Sequence, residues 1–403
     1  MKYILLLFFI TQSTLSYSQK HCGSDTYSNH LSKQNPNRIA LKDRFNTAFE
    51  AFKSSSNHHK KKNSDEIINI PVVFHILYKT AAQNISNNQI YDQIDRLNKD
   101  YSATNIDTSN VPLEFQPFIS DTKIRFTLAD TDPNGNSTTG IVRYNTDTYQ
   151  FSYQTDDIKY SALDGADAWD TDKYLNIWVG HITNGYLGYA TQPIDAGTIK
   201  DGVVLGYEYV GNTQSSNYNK GRTATHEIGH YFGLDHIWGQ QIGCSYDDGI
   251  NDTPNQESPH YGVQTHPIAT CNSNDMFMNY MDYGNDEALV MFTLGQKEKM
   301  EYSLDVYRSQ LGSPEPIDIN LVNKLSLQVY PNPVSNVLNV EFSSLIKNGK
   351  LYIIDITGRT HYSQYISYKK KISIPISHFN SGLYFIGIKE KDKVSTLKKI
   401  IIQ

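Results

Sequence analysis

The chain has 403 residues, a formal net charge of -6 and 38% hydrophobic residues. That length suggests two or three domains, and so mild an acidity gives no reason to expect nucleic acid or a membrane surface as a partner. Beyond the N-terminus no segment reaches the roughly 20 apolar residues needed to cross a bilayer.

The first predicted element is a leader. Lys2, the apolar run Tyr3 to Ile10 and a polar stretch ending Ser16-Tyr17-Ser18 read as a secretory signal peptide, residues 1-18, so the mature chain is exported without a transmembrane segment. Residues 19-63 read as a propeptide. They are polar and expected to be loosely folded, with one amphipathic stretch around Ile39 to Phe52, and they end in the basic run Lys60-Lys61-Lys62, which suits proteolytic activation. From 64 to 311 the pattern is that of a folded α/β domain. It opens with a strand, Ile70 to Tyr78. A helix follows, in which Ser86 and Gln89 form a capping box and Ile90, Ile94, Leu97 and Tyr101 recur at helical spacing. Further strands are expected at Ile124 to Ala129 and Leu175 to Val179, with an edge strand at Gly188 to Ala190.

The segment His226-Glu227-Ile228-Gly229-His230-Tyr231-Phe232-Gly233-Leu234-Asp235-His236 carries the chemistry. His226 and His230, four apart on a helix, share one face and can reach one metal ion. Glu227 is tilted off that face toward the open coordination position, where a general base acts. Gly233 permits a non-helical bend that returns His236 as a third nitrogen ligand. Three protein ligands leave zinc an open site, where it lowers the pKa of water to about 7 and polarises the scissile carbonyl while Glu227 relays the proton.

Three cysteines in an exported chain leave one thiol over. Cys244 and Cys271, both in the loop after the zinc helix, are the expected disulfide, contributing about 3 to 4 kcal/mol in the chain-entropy model. Cys22 remains. As a thiolate on the zinc it would take the water position and keep the precursor silent; a stray thiol or an intermolecular disulfide are the other readings. The loop Gly243 to Pro254 is rich in carboxylates and hydroxyls and can form an oxygen cage for calcium.

With Asn279-Tyr280-Met281-Asp282-Tyr283 downstream of the histidine motif, the stretch from about 68 to 310 resembles the pappalysin family of metzincin metallopeptidases. Further familial phrases are Trp169-Asp170, Leu175-Asn176-Ile177-Trp178-Val179 and Gly188-Tyr189-Ala190. The resemblance implies an α/β (α+β) domain with a mixed, twisted sheet and a zinc-bearing helix. It implies Met281 as a hydrophobic base beneath the histidines and Tyr283 as a hydrogen-bond donor to the tetrahedral intermediate. Substrate would lie along Gly188, Tyr189 and Ala190 by backbone pairing. The family's preference for Arg or Lys after the cut falls on Glu287 first and Asp286 second, and its calcium ligands fall on Asp248, the Ile250 carbonyl and Thr253.

Gly312-Ser313-Pro314-Glu315-Pro316 opens a linker, residues 312-324. Residues 325-403 read as a small all-β sandwich, with strands at Leu325 to Tyr330, Val337 to Phe342, Leu351 to Ile356, Ile372 to Ile376, Leu383 to Ile388 and Thr396 to Ile402. Tyr330-Pro331-Asn332-Pro333, Asp355-Ile356-Thr357-Gly358-Arg359, Ser381-Gly382-Leu383-Tyr384-Phe385 and Lys398-Lys399-Ile400-Ile401-Ile402 resemble the type IX secretion C-terminal sorting domain. That resemblance implies the type IX secretion machinery as a partner, passage through the periplasm, and a secreted or outer-membrane surface location.

The whole is read as a secreted zinc endopeptidase that cuts extended polypeptides and is made as a latent zymogen. The competing class is a secreted binding or adhesion module with a structural zinc site. Glu227 argues against it, since a structural site needs no carboxylate beside an open position.

Overall fold

Ile68–Tyr78 (β1) is apolar on both faces and is buried along most of its length, which makes it a central strand. It pairs in parallel with Leu175–Gly180 (β4) on one side and with Ile124–Leu128 (β2) and Ile141–Asn145 (β3) on the other. Val203–Gly206 (β6) continues the sheet in parallel beyond β4, and Gly188–Ala190 (β5) closes it as an antiparallel edge, giving the order β2-β1-β4-β6-β5. The mixed sheet is the expected one; β3 and β6 are additions to it. The computed structural model describes residues 22–53, 66–214, 217–312, 327–346, 349–355, 359–390, 393–394 and 398–403. The leader, the basic run at 60–62 and the linker after 312 lie outside the described residues.

The helix Asn87–Tyr101 starts at the expected capping box of Ser86 and Gln89 and buries Ile90, Gln93, Leu97 and Tyr101. Its Gln93 has a second task. The side chain accepts from Gly211 N at 2.8 Å and donates to the Gly221 carbonyl at 2.9 Å, fixing the turn from which the next helix starts. That helix, Arg222–Tyr231, is buried at every residue. Arg222 at its first position pairs with Asp100 and Asp107 and donates to the Asp286 carbonyl. A last helix of this unit, Leu294–Tyr307, starts at a capping box of Thr293 and Gln296 and was not anticipated.

Residues 22–53 depart from the expectation of a loose segment. They form two helices, Ser24–Gln34 (α1) and Asn37–Lys53 (α2). Few apolar residues hold them, but each is well placed: Phe45, Phe49 and Phe52 pack on Tyr302, and Phe45 also on Tyr307. Arg38 pairs with Asp195, and Lys42 with Asp235 at 2.7 Å. Ile39 and Leu41, part of the anticipated amphipathic stretch, are instead exposed.

The chain divides into two compact units, Met1–Ser313 and Pro314–Gln403. The second is all β, with one sheet of Leu327–Tyr330, Val337–Ile346 and Lys369–Pro375 and another in which Gly349–Asp355 and Gly382–Glu390 are central. Their alternating apolar residues share one core, including Leu338, Val340, Ile353, Ile374, Ile386 and Ile400. Thr360–Ile366 is a strand the sequence reading did not separate out.

Candidate active site

The three histidines meet at their Nε2 atoms. His230 Nε2 lies 3.1 Å from Nε2 of both His226 and His236. Each Nδ1 is engaged elsewhere: His226 with the Tyr280 carbonyl at 2.6 Å, His230 with the Leu234 carbonyl at 2.8 Å, and His236 with Asp25 Oδ2 at 2.9 Å. A carbonyl accepts only from a protonated Nδ1, so the Nε2 lone pairs of His226 and His230 turn inward. Burial first, then the neighbouring imidazoles, hold His226 well below the ordinary histidine range, and the same causes bring His230 to about 3. Neutral imidazoles facing one another fit a metal ion: tetrahedral zinc with nitrogens at its usual distance separates them by about 3.3 Å.

Local sequence produces this convergence. Gly233, at φ 93°, ends the helix, with Leu234 N donating to the Gly229 carbonyl at 3.0 Å as the chain turns back toward His236. A Cβ at Gly229 would stand 2.5 Å from Met281 Sδ, so the fully buried Met281 lies directly against the histidine helix. Its turn is held by Asn279, whose amide exchanges two 2.9 Å hydrogen bonds with Gln296 of the last helix. Tyr283 sets its ring 4.8 Å from His236, and Trp238 stacks on the same imidazole at 4.4 Å. Gln296 and Trp238 were missed by sequence reasoning: Gln296 is brought here by the tertiary fold, and Trp238, two residues after His236, by a ring stack that no spacing announces.

Cys22 completes a group with the three histidines in which all the candidate ligand atoms lie within 4.8 Å of one another. Burial, then the carboxylates of Glu227 and Asp25, push its thiol up, so it is a thiolate only beside a cation. Glu227 is fully buried. Its Oε2 accepts from the Ser24 hydroxyl at 2.6 Å and from the Cys22 thiol at 3.5 Å, and its Oε1 has no partner among the described residues. Burial pushes Glu227 up to about 7. Residues 22–24 also hold the edge strand: Gly23 N donates to the Gly188 carbonyl, and Ala190 N donates to Ser24 Oγ, both at 2.8 Å. Tyr189 is different from its neighbours, because alternation along the strand turns its side chain to the other face of the sheet.

Beside this group is a pocket lined by Leu187, Tyr218, Arg222, Thr223, Asp286 and Leu289 among others. Of the two candidates for reading a basic side chain, Asp286 lines it, together with Glu227 and Asp282, and Glu287 does not. Asp286 is drawn inward by Lys220 N at 2.7 Å and Arg222 N at 3.3 Å, whereas Glu287 is exposed and absent from the lining. Burial pushes Asp286 up to about 6.

Cys244 and Cys271 are bonded, across a Cα separation of 5.2 Å. In the loop they close, Asp248 Oδ1 accepts from Ile250 N at 3.0 Å and from the Thr253 hydroxyl at 2.8 Å, a hydroxyl that also lies 2.8 Å from the Ile250 carbonyl. Asp248 Oδ2 is buried without a hydrogen-bond partner among the described residues, and burial pushes the carboxyl up to about 8. An unpaired buried carboxylate oxygen beside a carbonyl and a hydroxyl fits a hard cation.

Residues 159–305 match the Pregnancy-associated plasma protein-A peptidase family, and residues 328–403 match the Secretion system C-terminal sorting domain. An extracellular metalloprotease of Neurospora crassa is 31% identical over 254 residues, 60% of this chain and 76% of the relative. Mature mirolysin of Tannerella forsythia, solved with a cleaved peptide, is 42% identical with a TM-score of 0.59 and covers 62% of this chain and 100% of its own. A promirolysin mutant of the same organism is 39% identical with a TM-score of 0.63, covering 73% of this chain and again 100% of its own.

Proposed function

The chain belongs to the pappalysin family and is a secreted zinc metalloendopeptidase with a type IX sorting domain, and on that premise we propose that it is made latent, with residues 19-63 as an inhibitory prosegment. The observation that carries this reading is Cys22, whose Sγ joins the three histidines while its neighbour Ser24 engages Glu227. One short segment thus meets the metal ligands, the base and the strand edge. The greater coverage of this chain by promirolysin than by mature mirolysin supports it.

His226, His230 and His236 would hold zinc, which when bound acidifies a water and polarises the scissile carbonyl. Glu227, released from the Ser24 hydroxyl and the Cys22 thiol when that segment leaves, would accept a proton from the water and return it to the leaving amine. Met281 supports the helix from below without meeting substrate. Tyr283, its hydroxyl pushed up chiefly by burial, stays protonated and serves as a donor to the developing oxyanion. Gly188 and Ala190 offer the carbonyl and the amide now engaged by Gly23 and Ser24 to an extended polypeptide.

Replacing Cys22 with alanine removes a ligand worth more than about 1.4 kcal/mol, a factor of ten. Peptidase activity of the full chain before processing should therefore rise at least about tenfold. A Cys22→Ala chain that stays as silent as the parent contradicts the prosegment reading.

Asp286 is the residue to read a basic side chain after the cut. In Asp286→Asn the preference for Arg over Ala at that position should fall at least about tenfold. In the parent the same preference should fade as the pH drops below about 6, where Asp286 takes up a proton. Unchanged preference in the variant returns the role to Glu287.

Asp248, the Ile250 carbonyl and Thr253 are proposed to hold calcium. Calcium at about 100 times its Kd should then stabilise the chain by about 2.7 kcal/mol, read as a rise in Tm that Asp248→Asn abolishes. Equal Tm with and without calcium in the parent rules the site out.

A further inference from the structure

Alternation along β5 points Tyr189 away from the histidines, into a second pocket that Tyr27 of α1 fills. The Tyr27 hydroxyl donates to Asp156 Oδ2 at 2.5 Å and accepts from Lys159 Nζ at 3.1 Å. Its ring stands 4.7 Å from that of Tyr189, and the Lys159 ammonium lies 4.7 Å from the Tyr27 ring centroid. Every group around Tyr27 here has a second anchor in the domain behind it. The Tyr189 hydroxyl donates to Asp156 Oδ1 at 3.0 Å, Lys159 donates to the Lys200 carbonyl at 3.0 Å, and Trp178 lies on the central strand β4. Asp156, Lys159 and Tyr189 are no more than 3% exposed.

These anchors do not depend on α1, so the walls persist when it departs. What changes is that Asp156 Oδ2 loses the Tyr27 hydroxyl. A substrate group that restores that donor is therefore favoured over one that cannot. Carboxylate, ammonium and aromatic wall together match a phenol: the hydroxyl both donates and accepts, and the ring packs under the cation. Lys159 and Asp156 pair with each other at 3.4 Å, so phenylalanine would fill the space but forgo the two hydrogen bonds that the hydroxyl makes to them.

The direction of β5 relates this pocket to the cut. Leu187, immediately before the strand, lines the Asp286 pocket. Ala190 at its end and Gln192 beyond it hold Ser24 and Ser28, the residues that flank Tyr27 along α1. We propose that, once residues 22–53 are removed, this socket takes a tyrosine side chain of the polypeptide substrate, on the opposite side of the scissile bond from Asp286. The assignment rests on the reading of residues 22–53 as a removable prosegment.

The test uses the full chain activated by limited proteolysis, with peptides carrying tyrosine, phenylalanine or alanine in turn at each position before the cut. At one position kcat/KM for tyrosine should exceed that for phenylalanine at least about tenfold, because the site's charges reject the analogue lacking the hydroxyl. The ratio should fall to within about threefold in Asp156→Asn, a substitution that suits the left-handed backbone at φ 57°. Should that variant fail to fold, the series on the parent enzyme decides alone. Equal rates for tyrosine and phenylalanine at every position overturn the socket while leaving the peptidase intact. If activation yields no cleavage of any peptide, the prosegment reading fails first and the socket with it.

Discussion

Replacing Glu227 with alanine lowers kcat/KM of the activated enzyme by about 10²–10⁴, the range expected when a positioned general base is removed. Zinc content should not change, because neither the three nitrogen ligands nor the carbonyls that hold Nδ1 of His226 and His230 involve Glu227. The pairing of these two results matters. Loss of zinc together with activity would make Glu227 a support for the metal site; retained activity would remove it from the chemistry. Its surroundings favour the base. Its Oε1 has no hydrogen-bond partner among the described residues, and its Oε2 is held only by Ser24 and Cys22, so the carboxyl comes free when that segment leaves. Gly188 contributes by what it lacks, since a Cβ there would stand 3.0 Å from Glu227 Cγ.

The second large effect is on stability. Arg222 is fully buried at the start of the histidine helix, between Asp100, Asp107 and the Asp286 carbonyl. Arg222→Met leaves the buried Asp100 carboxylate facing Arg96 at 3.7 Å and the Thr225 hydroxyl at 2.9 Å, without its closest cation. Breaking a buried pair on one side costs about 3–5 kcal/mol, which for a unit of this size lowers Tm by roughly 10 °C. The double variant Arg222→Met with Asp100→Asn should recover part of that loss. If the single variant melts with the parent, Arg222 does not hold the helix.

The three histidines were legible because their spacing is set by one helix and one turn: His226 and His230 share a helical face, and Gly233 bends the chain toward His236 whatever surrounds it. The central strands were legible as apolar runs, and the helix after β1 as a capping box followed by a helical apolar period. Most of what escaped was contributed across the chain. Asp25 on His236, Trp238 stacked on the same ring, and Gln296 clamping Asn279 carry no local pattern that distinguishes them from other acidic, aromatic or amide residues. Residues 22–53 were misjudged as loose because their stability comes from a few aromatic side chains and two ion pairs, not from a continuous apolar face. Asp286 and Glu287 are adjacent and chemically alike, and only the backbone amides of Lys220 and Arg222 decide which of them turns inward.

Cobalt substituted for zinc in the unprocessed full chain tests the central claim most directly, because a thiolate bound to cobalt gives a charge-transfer absorption that nitrogen and oxygen ligands do not. The band should be present in the latent chain, absent in Cys22→Ser, and lost on limited proteolysis as peptide cleavage begins. Cobalt bound by the latent chain without that band, or a band that survives full activation, would contradict Cys22 as the group that keeps the enzyme silent.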